Sequence, residues 1–312
     1  MRKYYDDINL SERLLMSLRM VDKTDCVADV GCDHAHTDIK LLKDGIAQKC
    51  IAMDVRTGPL GKAEENLKLY GYCDKVELRF SDGLNYLYPG EAQYVIIAGM
   101  GGIVMRTILE RGLGKNGHLK DDKPILVLQP QSHIYEIRKW LYENGYEIVD
   151  EDLCYEDGKY YFAIKAVPKI RSAEIQEFSQ PDDIPEKTVP KGSVKEGSEK
   201  EGSVMEEPIT EGPIKEKTIT EEPDNEINIL PNGLRIIPNS SIKGRRREAE
   251  LHFGPILLKK RGFLMERYLE DSTNKVLHRL KQIELSDSEE AGGKREYFEN
   301  LLQIIKEVRY KR

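Results

Sequence analysis

The chain has 312 residues, with 39% hydrophobic and 33% charged side chains and a formal net charge of −7. That length provides one sizeable core plus an appendage, or two domains, and the low apolar share leaves part of the chain outside any core. No apolar run approaches the roughly 20 residues of a membrane span, the N-terminal Met-Arg-Lys-Tyr-Tyr-Asp-Asp has no signal-peptide core, and five scattered cysteines without CxxC spacing argue against a zinc site or a disulfide framework. A reducing cytoplasm is therefore the expected setting, with no membrane and no metal.

Ser11 to Met20 reads as an amphipathic helix, with Leu14, Leu15, Leu18 and Val21 on one side and Ser11 as its N-cap. Strands and helices then alternate. Strands are expected at Cys26–Val30, Lys49–Asp54, Val76–Phe80, Tyr94–Ala98 and Pro124–Gln129. Helices are expected at Ala35–Asp44, Gly58–Tyr70, Gly102–Arg111 and Ser132–Asn144, several ending at a glycine. Tyr146–Tyr155 and Lys159–Val167 follow as strands joined by Glu-Asp-Gly, a strong hairpin signal. Five β/α alternations closing in a hairpin predict an α/β fold: a mainly parallel, doubly wound sheet of seven strands with an antiparallel edge, the Rossmann-like arrangement of class I methyltransferases.

After Pro168 the composition shifts to Glu, Lys, Pro, Gly, Ser and Thr with almost no aromatics. Such a stretch cannot bury enough apolar area to offset ordering entropy, so residues 168–248 are expected to be a disordered acidic insertion between a domain at 1–167 and a C-terminal unit at 249–312. Ile256–Ile283 and Lys294–Arg309 read as two helices joined by a turn-rich break at Ser286–Gly293, an antiparallel helical hairpin. Charge is unevenly spread: residues 1–170 are net −4, 171–250 net −6 and 251–312 net +3. Lys260, Arg261, Arg267, Lys275 and Arg279 are among the cations of the hairpin, which is either a solvated face or a nucleic-acid surface.

In a doubly wound sheet the ligand sits outside the carboxyl ends of the strands. The first strand runs into Ala-Asp-Val-Gly-Cys-Asp-His. Gly31 allows a tight turn, and Asp29 and Asp33 place two carboxylates beside whatever binds. A phosphate site would favour cations and more glycine. Paired carboxylates suit a cationic, hydroxyl-rich ligand such as S-adenosylmethionine; the alternative is a surface turn with two solvated aspartates. Asp54, about 20 residues further on, suits a ribose diol, and Asp82 beside Gly83 suits an adenine amino group. The fourth strand ends in Ala98-Gly99-Met100-Gly101-Gly102, a bare backbone against which a flat base can lie, and the fifth in Gln129-Pro130-Gln131, with amide groups for a base edge.

Together, Asp-Val-Gly-Cys-Asp-His-Ala, Asp-Val-Arg-Thr-Gly-Pro-Leu (54–60), Ser-Asp-Gly (81–83), Ile-Ala-Gly-Met-Gly-Gly (97–102), Leu-Gln-Pro-Gln (128–131) and Leu-His-Phe-Gly-Pro (251–255) resemble the bacterial TrmK-type tRNA (adenine(22)-N1)-methyltransferases. The resemblance covers roughly residues 8–167 and 249–312. It implies S-adenosylmethionine as donor, N1 of an adenine in the tRNA D-loop region as acceptor, and a C-terminal coiled coil that helps hold the tRNA. On that reading Asp29, Gly31, Asp33, Asp54, Asp82, Gly83, Ala98, Gly99 and Met100 bind the cofactor. Gly101, Gly102, Pro130 and the five cations above contact substrate. Asp33 stabilises the charge on methylated N1 or takes an amino proton, and His34 or Gln129 orients the base. A monomer or weak dimer is expected.

Two features depart from the family pattern. After Asp-His-Ala the family usually has an aromatic residue, then a small residue or proline, whereas this chain has His36, Thr37 and Asp38. The family also lacks the 168–248 insertion. The residues leave two other readings open: a methyltransferase of the same fold acting on a small molecule or protein, and a non-catalytic nucleic-acid-binding protein on a methyltransferase-like fold. The absence of GxGxxG disfavours an NAD-dependent oxidoreductase.

Overall fold

The computed structural model describes residues 8–169, 242–285 and 291–310. The elements, in chain order, are α1 (Glu12–Leu18), β1 (Thr24–Val30), α2 (His36–Lys43), β2 (Ala47–Asp54), α3 (Thr57–Tyr70), β3 (Val76–Phe80), β4 (Tyr94–Met100), α4 (Gly102–Leu113), β5 (Ile125–Pro130), α5 (Ile134–Glu143), β6 (Tyr146–Glu156) and β7 (Lys159–Pro168). Four helices follow: α6 (Ile242–Phe253), α7 (Pro255–Lys260), α8 (Phe263–Glu284) and α9 (Ala291–Tyr310).

The strands form one seven-stranded sheet in the order β3-β2-β1-β4-β5-β7-β6. β1 to β5 pair in parallel, and β7 pairs antiparallel with both β5 and β6, the latter as the hairpin at Asp157-Gly158 requires. The chain moves outward from β1 through β2 to β3, then returns to place β4 on the other side of β1. The carboxyl ends of β1 and β4 therefore diverge at a topological switch point, where an open sheet of this type leaves a crevice.

Both sheet faces are covered, so the central strands are apolar along their length. Val95, Ile96 and Ile97 of β4 are all fully buried. Ile96 joins a core with Val27, Ile39, Leu41 and Leu67 on one face. Val95 and Ile97 join Met105, Leu109, Leu128 and Trp140 on the other. Each such side chain contributes about 1.5–3 kcal/mol of burial.

The C-terminal helices build a third core against the outer part of β6 and β7, where Leu153 and Phe162 meet Phe253, Leu257, Met265, Leu269 and Ile305. α8 and α9 pack along one another, and α9 also packs on α6. The two long helices expected there, α8 and α9, are thus present and packed together, and among the described residues α6 and α7 join them. The expected continuous helix at 256–283 is interrupted because Arg261 closes α7 in the left-handed region (φ 40°) and Gly262 is extended before α8. α6 begins at Ile242, so the last residues of the expected 168–248 insertion belong to a helix; residues 170–241 lie outside the described residues. Ser11 does stand at the N-cap of α1 with extended backbone, but its hydroxyl makes no capping bond.

Candidate active site

A cleft of about 680 Å³ opens at the carboxyl ends of β1 to β4. Its floor is the turn after β1. The amides of Gly31 and Cys32 continue the ladder to the Met53 carbonyl, at 2.8 and 3.0 Å, and the chain then reverses. Gly31 sits at φ 79°, and a Cβ there would collide with the terminal methyl of Met100 from β4. Two side-chain-bearing residues, Asp33 (φ 50°) and Ala35 (φ 56°), also adopt the left-handed region before α2 starts. That costs on the order of 1–2 kcal/mol per residue, a strain of the kind held at functional turns. The result lifts Asp33 into the cleft with two-thirds of its side chain exposed, 3.7 Å from His34 Nε2. Asn66 of α3 fixes the far side of the turn by donating to the His34 carbonyl at 2.9 Å and meeting His36 Nε2 at 3.1 Å. Burial and then the His34 ring lower the His36 pKa.

The other strand ends bring further acids to the same cleft. Asp54 ends β2 and is 4% exposed; its Oδ1 accepts the Arg56 amide at 2.9 Å and the Arg56 Nε at 3.3 Å. The same guanidinium lies 4.0 Å from Asp33. After β3, Ser81 turns the chain by donating to the Gly83 carbonyl at 2.8 Å, and Asp82 projects to meet Arg111 of α4 at 3.0 Å. β4 ends at Ala98, Gly99 and Met100, which form the wall opposite Gly31. A cleft ringed by carboxylates that draw guanidinium groups across its mouth is electrostatically suited to a ligand carrying positive charge and hydroxyls.

Asp29, Gly31, Asp33, His34, Asp54, Asp82, Gly83, Ala98, Gly99 and Met100 thus converge on one cavity, as the motif positions predict. Others do not. Gln129 is fully buried and does not reach the cleft; its Oε1 accepts the Gly99 amide at 2.8 Å, so it shapes the β4 loop instead of touching a base. Gln131, two residues later, is the glutamine in the cleft wall. Gly101 and Gly102 do not line the cavity. Gly102 is buried where a Cβ would strike the Ser132 carbonyl, so its small size serves the packing of α4 on the β5–α5 turn. Pro130 is buried at the end of β5.

The basic residues of the C-terminal unit also divide. Lys260 bonds Asp150 and the Glu151 carbonyl, both at 2.7 Å. Arg261 bonds the Val308 carbonyl and pairs with Glu266, and Arg267 lies over the Tyr155 ring at 4.6 Å. Lys260 and Arg267 thus fasten the unit to β6, and Arg261 ties α7 to α8 and α9. Lys275 and Arg279 are exposed on α8, where Arg279 Nη1 donates to Gln282 Oε1 of the same helix at 3.1 Å.

Some residues of the site carry no motif signal. Ile103 and Val104, on the first turn of α4, are 61% and 56% exposed and form an apolar rim. Their one cue is that they follow the glycines at the end of β4. Asp38, the third residue of α2, is fully buried beneath the turn. Burial pushes the Asp29 carboxyl up to about 7 against the pull of a hydrogen bond with Asp38, and Asp54 and Asp33 add to the rise. Burial and then the charge of Asp29 push Asp38 well above the carboxylate range. Among the described residues no cluster of His, Cys, Asp or Glu is arranged to hold a metal, and no helix is long and apolar enough to cross a membrane.

Comparison with known proteins agrees with this geometry. A family profile described as a methyltransferase domain matches residues 10–164. The tRNA (adenine(22)-N(1))-methyltransferase of Bacillus subtilis is 34% identical over 168 residues, covering 54% of this chain and 69% of that protein. A putative tRNA methyltransferase of Mycoplasma pneumoniae is 31% identical over 163 residues, 51% of this chain and 70% of its own. In structure, the B. subtilis m1A22 tRNA methyltransferase TrmK superposes with a TM-score of 0.66 at 24% identity, covering 97% of this chain and 99% of that one. A Streptococcus agalactiae protein of the NADB-Rossmann superfamily gives 0.64 at 25% identity over 97% and 98%. The fold is therefore that of the Rossmann-like methyltransferases, and the chain belongs to the tRNA (adenine(22)-N1)-methyltransferase family.

Proposed function

We propose that this protein transfers a methyl group from S-adenosylmethionine to N1 of an adenine in tRNA, the adenine at position 22 as in the B. subtilis relative. The observation that carries the reading is the convergence of Asp29, Asp33, Asp54 and Asp82, from the ends of three successive strands, on one cleft beside the bare backbone of Gly31 and Gly99. That donor set fits the cofactor: carboxylates for an ammonium, a sulfonium's field and a ribose diol, and glycine backbone for a close approach. Bound there, the cofactor supplies an electrophilic methyl on a sulfonium.

The chain's own residues then have distinct tasks. Asp54 accepts from the ribose hydroxyls and Asp82 from the adenine amino group, each trading an arginine contact for the ligand. Asp29 and Gly31 hold the methionine end. Asp33, the most exposed carboxylate of the turn, faces the incoming base with His34. N1 of adenine already has a lone pair, so no base is needed to create the nucleophile. Asp33 stabilises the positive charge that methylation leaves and accepts an amino proton. Positioning supplies most of the acceleration. Gln131, rather than Gln129, meets the base edge, and Gln129 holds the Gly99 loop. Lys275 and Arg279 contact tRNA phosphates. Five free cysteines accord with a cytoplasmic setting.

The test is incubation with methyl-labelled S-adenosylmethionine and bulk tRNA, followed by digestion and nucleoside analysis. Label recovered as N1-methyladenosine supports the reading. Label in protein or small molecules, or no transfer, overturns it.

A further inference from the structure

We propose that Arg13 of α1 binds the carboxylate of S-adenosylmethionine at the methionine end of the cleft. The inference rests on the cofactor site proposed above and deepens it with a residue that no motif marks.

One charge of the ligand has no counterpart among the cleft acids. Carboxylates at the ends of β1, β2 and β3 suit the ammonium, the ribose hydroxyls and the adenine amino group. The amino-acid moiety also carries a carboxylate, and a cleft this acidic must offset it with a cation. Three guanidinium groups line the cavity, those of Arg13, Arg56 and Arg111. Arg56 Nε donates to Asp54 at 3.3 Å and Arg111 Nη1 to Asp82 at 3.0 Å, so both are engaged at the nucleoside end. Arg13 reaches the cleft from the other side. α1 packs on β5, β6 and β7 and meets α2, which follows the Asp29–Asp33 turn. In the sheet β5, β6 and β7 lie across β1 from β2 and β3.

The Arg13 side chain is held but not satisfied. Its guanidinium lies 5.1 Å from the centre of the Tyr161 ring of β7 and 3.7 Å from Glu156 Oε2 at the end of β6. That oxygen accepts the Arg13 backbone amide, at 3.3 Å, instead. The side chain is only 29% exposed, yet among the described residues no acceptor makes a hydrogen bond to the guanidinium. A permanently charged group with five N–H donors is costly to leave so placed without an acceptor.

The surroundings suit a carboxylate there. Leu10 and Leu14 stand beside Arg13 on the cleft wall, and apolar neighbours strengthen a charge-assisted hydrogen bond by lowering the local dielectric. The planar fork matches two carboxylate oxygens, and a guanidinium already seated by Tyr161 and Glu156 has less side-chain freedom to lose on binding. Asp29 and Arg13 then take the ammonium and the carboxylate of one zwitterion, so the pair selects a nucleoside that carries a complete amino acid.

Isothermal calorimetry with S-adenosylmethionine and with decarboxylated S-adenosylmethionine, which keeps the sulfonium and the ammonium, isolates the contact. The wild-type protein should bind the complete cofactor about 10- to 100-fold more tightly. Arg13→Met keeps the apolar stem and removes the fork, and that variant should bind the two ligands about equally. Arg13→Lys keeps the charge without the fork and should retain part of the preference. A merely structural Arg13 would weaken both ligands alike and leave the preference intact in Arg13→Met, which overturns the inference. Weakened tRNA affinity with an intact preference assigns Arg13 to a phosphate and overturns it too. If Arg13→Met does not fold, the wild-type preference and its partial loss in Arg13→Lys decide. Equal binding of both ligands by the wild-type protein refutes the role of Arg13 alone, whereas binding of neither refutes the cofactor site and this contact with it.

Discussion

The joint between the catalytic sheet and the C-terminal helices is the place where a single change should cost most. Arg138 of α5 and Glu151 of β6 are both fully buried, with Nε and Oε1 2.8 Å apart. Arg138 Nη1 also donates to the carbonyls of Leu251 and His252 at 3.0 Å, and Glu151 Oε2 accepts the Ile256 amide at 2.9 Å. The pair therefore ties off the end of α6 and the start of α7. Gly254 between them is at φ 89°, and a Cβ there would collide with the Glu151 carboxylate. Arg138→Met keeps much of the volume but strands a carboxylate in the interior, with amides as its remaining partners. Breaking a buried pair in this way costs about 3–5 kcal/mol, and a body of this size loses about 2–4 °C per kcal/mol. The melting temperature should fall by roughly 6–20 °C by differential scanning calorimetry, and amide exchange across 251–257 should accelerate. Arg138→Met with Glu151→Leu removes both charges and should recover only part of the loss, because the Ile256 amide and two carbonyls remain unpaired. A single-variant loss below about 1 kcal/mol would refute the view that this pair fastens the helices.

Asp33→Ala should abolish methyl transfer to tRNA while S-adenosylmethionine affinity, measured by calorimetry, falls only moderately; full transfer would remove Asp33 from the mechanism. Gly31→Ala should cost about 1–2 kcal/mol in urea denaturation because its φ of 79° is closed to alanine, and should weaken cofactor binding by pushing Met100 aside; unchanged stability would contradict the turn geometry. Lys275→Ala with Arg279→Ala should lower the salt dependence of tRNA binding by about one unit of slope for each phosphate no longer neutralised, with cofactor affinity as the unchanged control. Asp29 is held above its unfolded pKa, so its stabilising share is present below about 4 and is lost as pH rises through about 7. Thermal stability should therefore decline from pH 5 to pH 8, and a rise over that range would contradict the assignment.

The sheet and its cleft were legible because their signals are local. Short apolar runs mark β1, β4 and β5, Asp157-Gly158 marks the hairpin, and the acids of the cleft fall within three residues of strand ends. What escaped was set by tertiary burial. Arg138 lies within Ile-Tyr-Glu-Ile-Arg-Lys-Trp-Leu-Tyr-Glu with no motif to mark it, and it is fully buried. Gln129 sits at the expected strand end, but its side chain turns inward to the Gly99 amide, and Gln131, just past the end of β5, is the glutamine in the cleft wall. The cations of the C-terminal unit look alike in sequence, and only their partners separate Lys260, Arg261 and Arg267, which brace the helices, from Lys275 and Arg279, which do not.

The same distinction changes how the C-terminal unit should be probed. Removing residues 251–312 looks, from sequence, like a clean way to separate tRNA binding from the cofactor site. In the folded protein that deletion would expose Leu153 and Phe162 and leave the Arg138–Glu151 pair without the Leu251 and His252 carbonyls or the Ile256 amide. The loss would spread through β6 and β7 to β5, whose neighbour in the sheet is β7, and β5 carries Gln129, which holds the Gly99 loop of the cleft. A truncated protein that failed to bind tRNA would thus report a damaged sheet as readily as a missing phosphate-binding surface. Charge removal at the exposed positions of α8 leaves the buried joint intact, so only that perturbation separates recognition of the nucleic acid from integrity of the site.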